Sequence, residues 1–318
     1  MALEDAKHEV DRAISEKTTG LGYENPFAGV TSFLRRPYAK DVSGFDLAVT
    51  GVPFDQAVTH RPGTRFGPRA LREASTLMAG DAPYGWGYSP LERFAIADAG
   101  DMAFDYAAVT EVPGRIEAHV ARILKAGATS LVLGGDHSIA LPSLRAHAAK
   151  HGPVGLVQFD AHPDTWSDDD PARVDHGTFV YKALKEGLID PSRSVQIGTR
   201  VEVEDEAAHG IARFDARGVH AGGDIASEVR RIVGDAPVYL SFDIDVLDPA
   251  FAPGTGTPVW GGLSTAQVGL LLRGLAGINL IGMDVVEVSP PYDHANVTAL
   301  AGAHVAYDLI ALWGWKRR

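Results

Sequence analysis

An α/β protein with a mostly parallel central sheet, covered by helices on both faces, is the fold class the sequence predicts, and three observations predict it. Short apolar runs alternate with helical patterns along most of the chain, the order expected of parallel strands joined by crossover helices. The runs read as continuous Val/Ile/Leu stretches, as strands do when both faces of their sheet are buried. Chemistry-bearing residues follow directly after three of the runs, where open parallel sheets build their sites.

In chain order, residues 45–49 (F-D-L-A-V) form the first expected strand and 67–75 the first helix, with Pro68 at a first-turn position where its missing N–H costs nothing. A helix over 114–126 leads to a strand over 130–133 (S-L-V-L), and a helix over 141–150 to a strand over 155–159 (G-L-V-Q-F). A helix over 177–186 precedes a strand over 194–197 (S-V-Q-I), and a helix over 225–233 precedes a strand over 238–242 (V-Y-L-S-F). The last pair is a helix over 265–275 and a strand over 279–285 (N-L-I-G-M-D-V), after which a helix over 298–312 closes the chain. No repeat, low-complexity stretch or linker-like break interrupts this order. Residues 41–318 therefore read as one catalytic domain, with 1–40 as an N-terminal extension packed on it.

The 318 residues are 45% hydrophobic and 22% charged, an ordinary globular composition. Cysteine is absent, which excludes disulfides and thiolate ligands, so any metal is held by oxygen and imidazole nitrogen. The net charge of −12 comes without a Lys/Arg stripe, which argues against nucleic acid and is compatible with a cationic small substrate. No uninterrupted apolar run approaches the roughly 18 residues of a membrane span, and the first residues are charged throughout, unlike a signal peptide. The expectation is a soluble, cytoplasmic protein with no membrane partner.

Residues 159–164 read F-D-A-H-P-D, placing Asp160, His162 and Asp164 two apart behind an apolar run. An extended backbone would put all three on one face. Such a group is badly destabilised by repulsion and desolvation unless a cation sits within it. His137, in G-G-D-H-S, follows a second run; Asp243 and Asp245, in S-F-D-I-D-V-L-D-P, follow a third. A lone Asp at a strand end is usually a cap or turn former, but six such residues at three strand ends are not explained that way. Four carboxylates and two imidazoles carry too much charge for a single zinc. They suit manganese, iron or nickel, and the count fits two ions sharing bridging carboxylates.

These motifs resemble those of the ureohydrolase (arginase/agmatinase) family, most closely its bacterial agmatinase branch. The likeness runs from G-V-P-F-D at 51–55 through A-P-G-T-G-T-P at 252–258 to about Ala299. It implies a three-layer α/β/α arginase-like fold and a dimanganese hydrolase that releases urea from a guanidino compound, with Ni²⁺ or another divalent ion as alternatives. By the family pattern His137 and Asp164 would hold one ion and His162 and Asp245 the other, with Asp160 and Asp243 bridging. Asp164 would also handle the proton of the attacking hydroxide. His176, in D-H-G-T, resembles the family's proton-shuttling histidine, a task suited to an ordinary pKa of about 6.5. Glu287, in V-V-E-V-S-P, resembles the carboxylate that pairs with the substrate guanidinium, a match that is bidentate. Family members assemble as trimers and hexamers, which implies a homo-oligomer.

The favoured reaction is agmatine plus water to putrescine and urea. Acidic stretches at 166–170 and 202–206 would favour a distal ammonium, whereas Arg173 and Arg200 in the same neighbourhoods would receive a carboxylate, the guanidinobutyrase alternative. Trp166 departs from the Tyr usual in agmatinases, and its face could contact a cation. A non-catalytic metal-binding homologue is the remaining alternative from another class, and the presence of all six ligands with His176 and Glu287 speaks against it.

Overall fold

The computed structural model describes residues 25–204 and 210–318. Eight strands form one sheet: β1 (Leu47–Val52), β2 (Ile96–Asp101), β3 (Thr129–Gly134), β4 (Gly155–Phe159), β5 (Val195–Ile197), β6 (Ala212–Phe214), β7 (Pro237–Asp243) and β8 (Asn279–Val286). Their order across the sheet is β2-β1-β3-β8-β7-β4-β5-β6, and every pairing among them is parallel. The sheet is thus wholly rather than mostly parallel. Eight helices are described: α1 (Gly67–Ser75), α2 (Val112–Lys125), α3 (Ala140–His151), α4 (Phe179–Lys185), α5 (Ala216–Ala221), α6 (Ile225–Val233), α7 (Thr265–Gly274) and α8 (Val297–Trp315).

Alternation along each strand feeds two cores. Leu131 and Leu133 of β3 and Leu240 and Phe242 of β7 point into the layer that includes Leu71 of α1, Val229 of α6, Leu272 of α7 and most of α8. Val132 packs against Ile116 and Val120 of α2, and Leu156 and Tyr239 against Leu144 of α3 and Phe179 of α4. With both faces covered, no strand position needs to be polar, which is why the runs read as continuous apolar stretches. α8 is long and apolar enough to cross a bilayer, but 78% of that stretch is buried inside this fold.

β2 escaped the sequence reading because I-A-D-A-G-D has little strand propensity; pairing with β1 and anchoring at Asp98 decide its state. Asp98 accepts from the Phe33 backbone N–H at 2.7 Å and from Arg72 Nε at 2.7 Å, so it ties residues 33–39 and α1 to the sheet edge. Of the expected extension, 33–40 lie here beside β2, and 1–24 lie outside the described residues. β6 and α5, of three and six residues, are too short to show a periodic pattern. The helix expected at 114–126 starts two residues earlier because Pro113 occupies its first turn. Ser264 and Gln267 form a reciprocal cap that starts α7 where expected.

His147 of α3 is fully buried between Nδ1 contact with the Ser143 carbonyl at 2.8 Å and Nε2 contact with Ser130 Oγ at 3.3 Å. It occupies space that only glycine leaves open, since a Cβ on Gly282 would lie 2.1 Å from its Nε2. Burial pushes its pKa from 6.5 down to about 4. The unfolded chain therefore takes up a proton first as pH falls, so stability present above pH 6.5 is lost progressively toward pH 4. At about 1.4 kcal/mol per pH unit the loss reaches roughly 3 kcal/mol. Urea denaturation of the chelated protein at pH 7 and 4.5 is expected to show a steeper loss for the wild type than for His147→Gln; equal losses would contradict it.

Candidate metal centre

The four central strands β3, β8, β7 and β4 deliver their carboxyl ends to one place, which the crossover from β3 to β4 leaves open until β7 and β8 fill the gap. This is the crevice where parallel sheets bind ligands. After β3, Gly135 lets the chain pass against residues 52–54: a Cβ there would lie 2.0 Å from the Phe54 carbonyl oxygen. Asp136 accepts from the Ser138 and Ala57 backbone N–H groups, each at 3.0 Å, and so fixes the turn that aims His137 into the crevice.

The pairwise spacing of ligands has a cause other than strand alternation. β4 ends at Phe159, before the motif begins. Asp160 Oδ1 then accepts the His162 N–H at 2.6 Å, and Asp243 Oδ1 accepts the Asp245 N–H at 2.8 Å. Both are turns closed by the side chain onto the backbone two residues on. Asp164 has a left-handed backbone, φ 52°, that brings its carboxylate back toward the others. The expectation of an extended segment is corrected, while the six residues do converge.

His137 Nδ1 lies 2.9 Å from Asp164 Oδ2, 3.1 Å from Asp160 Oδ2 and 3.2 Å from Asp243 Oδ2. His162 Nδ1 lies 3.0 Å from Asp245 Oδ2 and 3.5 Å from Asp160 Oδ1. Two ligand sets emerge, His137/Asp160/Asp164 and Asp160/His162/Asp245, and Asp160 turns one oxygen to each. Asp243 joins the first set through Oδ2. Burial, reinforced by neighbouring carboxylates, raises Asp164 to about 7 and Asp243 well above the carboxylate range. Burial also opposes ionisation of Asp160, but the flanking His137 and His162 outweigh it and hold its pKa low. So much charge in so small a space calls for cations.

The residues fit a divalent pair on a further ground. Buried His137 Nδ1 faces the carboxylates of Asp164, Asp160 and Asp243, and its Nε2 is 2.8 Å from Ser241 Oγ. Ser241 spends its own proton on Asp284 Oδ1 at 2.7 Å, and Tyr239 donates to Asp284 Oδ2 at 2.7 Å. Ser241 must therefore accept from Nε2–H, which aims Nδ1 at the carboxylates, where a divalent ion would take the place of its proton. Outer partners of this kind set the tautomer of a ligating histidine. The sequence reading missed Ser241, Tyr239 and Asp284; the alternation of 239, 241 and 243 along β7 was the signal available.

Glu287 follows β8 with φ 63°, a conformation that costs a non-glycine residue roughly 1 kcal/mol. Its Oε1 accepts from the His137 backbone N–H at 2.9 Å and lies 2.8 Å from His176 Nδ1. Its buried Oε2 has no partner and faces the space left by Gly256. Burial opposes charge on His176, but the Glu287 carboxylate outweighs it and lifts the pKa to about 9.

A cavity of about 520 Å³ opens onto the cluster, walled by Thr59, Trp166, Asp168, Arg173, Val201 and Thr257. Its acidic loop is less available than the sequence implies. Asp168 pairs with Lys182 at 2.8 Å, and Asp169 with Lys185 and the Tyr181 hydroxyl. Arg200 is not a carboxylate receptor, because its guanidinium is spent on backbone carbonyls, including those of Asp245 and Val259 at 2.7 Å each. Arg173 pairs with Asp175 at 3.0 Å and keeps 61% of its side chain exposed. In the second acidic stretch, Asp205 and Glu206 lie outside the described residues.

The sequence pattern of the arginase family matches residues 45–311. An agmatinase from Chromobacterium violaceum is 50% identical over 302 residues, covering 94% of this chain and 93% of that protein. The crystal structure of a hypothetical agmatinase from Burkholderia thailandensis superposes with a TM-score of 0.91 at 51% identity, covering 93% of this chain and 94% of that one. Proclavaminate amidino hydrolase from Streptomyces clavuligerus superposes at 0.87 with 37% identity, covering 92% and 100%. Sheet order, site geometry and these likenesses agree: the chain belongs to the arginase family.

Proposed function

We propose that the protein is a ureohydrolase that cleaves agmatine to putrescine and urea with two manganese ions. One observation carries this reading: two ligand sets sharing Asp160 stand beside a buried carboxylate oxygen, Glu287 Oε2, that has no partner of its own. A guanidinium is the cation whose paired N–H groups suit such an oxygen. His137, Asp164 and Asp160 would hold one ion and His162, Asp245 and Asp160 the other, with Asp243 as the second shared ligand. When bound, the pair supplies a water nucleophile at neutral pH and charge stabilisation at the reacting carbon.

The chain's own residues do the rest. Glu287 orients the guanidinium over the cluster, and the shared position of Glu287 and His176 places a proton donor beside the nitrogen that must leave. Asp164 stands where it can take the proton of the attacking water. The cavity leaves length for an aliphatic tail, whose ammonium meets the face of Trp166. In this proposal residues 41–318 form a single catalytic domain, and the protein is a homo-oligomer.

Urea release by the manganese-loaded protein from agmatine, 4-guanidinobutyrate and arginine tests the proposal. Agmatine is expected to lead by at least tenfold in kcat/KM, because guanidinobutyrate lacks the distal ammonium and arginine adds a carboxylate beside it. Preference for guanidinobutyrate would transfer the tail-reading role to Arg173, the exposed cation on the cavity wall.

A further inference from the structure

The segment that crosses above the metal cluster between β1 and α1 contributes a residue that no motif singled out. Buried His176 has both ring nitrogens engaged: Nδ1 on Glu287 Oε1 at 2.8 Å, and Nε2 on Thr59, whose backbone N–H lies at 3.2 Å and whose Oγ1 lies at 2.9 Å. Residues 57 and 59 flank the ring as a brace, since the His176 backbone N–H also donates to the Ala57 carbonyl at 3.4 Å. Ala57 in turn donates to Asp136 Oδ2 at 3.0 Å, which fastens the brace to the turn carrying His137. His176 is 8% exposed, whereas Thr59 is exposed and lines the reaction cavity. His176 and Thr59 both line the cavity, and the exposed Thr59 hydroxyl stands against Nε2 at its wall.

These contacts pull the ring in opposite directions. The Glu287 carboxylate favours imidazolium, with the Nδ1 proton directed at Oε1. The Thr59 backbone N–H points at the Nε2 lone pair and favours the neutral ring with that same Nδ1 proton. The Nδ1 proton is thus common to both states, and the proton that comes and goes is the one on Nε2.

We propose that Thr59 is a catalytic residue for the reaction, holding Nε2 of His176 in place and passing its proton to the departing nitrogen through the hydroxyl. In the transfer, the Nε2–H bond breaks as that proton bonds to Thr59 Oγ, and the hydroxyl's original proton passes to the departing amine nitrogen. The amine gains one proton, Thr59 is regenerated, and His176 is left neutral with Nδ1–H on Glu287. No electrons change hands, and no further reactant is needed. The Thr59 backbone N–H then donates to the freed Nε2 lone pair, which stabilises the state after transfer.

The inference rests on the urea-releasing reading, and the test separates the two. Thr59→Val keeps the backbone N–H and the side-chain shape but deletes the hydroxyl; Thr59→Ser restores it. In the manganese-loaded full chain acting on agmatine, Thr59→Val is expected to lower kcat about 100-fold, the lower end of the range for a positioned acid or base. KM is expected to stay within about twofold and bound manganese to be unchanged, while Thr59→Ser recovers most of kcat. A Thr59→Val protein with wild-type kcat, or a Thr59→Ser protein as slow as Thr59→Val, would overturn the role. A loss carried by KM or by metal content would overturn it too, because it would mean that Thr59 only shapes the loop. Absence of urea from the wild type would sink the parent reading and this one with it.

Discussion

Asp160→Asn is expected to strip the protein of both ions and of urea release together. Among the described residues, Asp160 is the one side chain that presents an oxygen to each histidine, Oδ2 to His137 at 3.1 Å and Oδ1 to His162 at 3.5 Å. Both oxygens are also committed to donors, Oδ1 to the His162 N–H at 2.6 Å and Oδ2 to Gln158 Nε2 at 2.8 Å. An amide must turn its NH₂ toward one of those donors, so the change removes a charge and misplaces an oxygen at once. Loss of an outer partner typically weakens metal affinity about 10–100-fold, and a shared ligand costs more. Even in excess manganese, turnover is expected to fall by about 100-fold or more, since the positions of both ions shift. Elemental analysis alongside a urea assay decides: two retained ions with turnover within about tenfold of wild type would remove Asp160 from its bridging place.

Glu287→Gln is expected to spare the metals and damage substrate capture. The amide oxygen can still accept from the His137 N–H and face His176, so the contacts made by Oε1 survive. What changes is the free oxygen, which becomes an NH₂ pointed at the incoming guanidinium. A charge-assisted acceptor is replaced by a repelling donor in a buried place, which costs about 3 kcal/mol, or roughly 150-fold in kcat/KM. Metal content and melting temperature are expected to stay near wild type. Unchanged kinetics on agmatine would refute the pairing of Glu287 with the guanidinium.

Much of this protein was legible from residue order because its sheet is buried on both faces. Runs such as L-V-L at 131–133 and V-Y-L-S-F at 238–242 have no polar face to blur them, so the strands and the helices between them were marked by composition. All six cluster residues were visible for a related reason, as buried-type strands that end abruptly in Asp and His. β2 was hidden because Asp98 and Gly100 belong in a strand only once Arg72 and the Phe33 N–H reach Asp98 from elsewhere in the chain. The partners of the acidic loop were hidden for the same kind of reason. Asp168 and Asp169 look like an acidic funnel in sequence, but one turn after another of α4 brings Lys182 and Lys185 to them.

What the sequence determined by itself was therefore the fold class and the kind of chemistry, since periodicity and ligand types are local properties of the chain. The tertiary structure decided the partition of ligands around Asp160, the free oxygen of Glu287 and the contact of Thr59 with His176. Each depends on side-chain directions set by turns, and on residues separated by as many as 150 positions in the chain, such as His137 and Glu287. The physical reason is that a hydrogen bond or a ligand set is fixed by tenths of an ångström and tens of degrees, which only the packed sheet and its turns can supply.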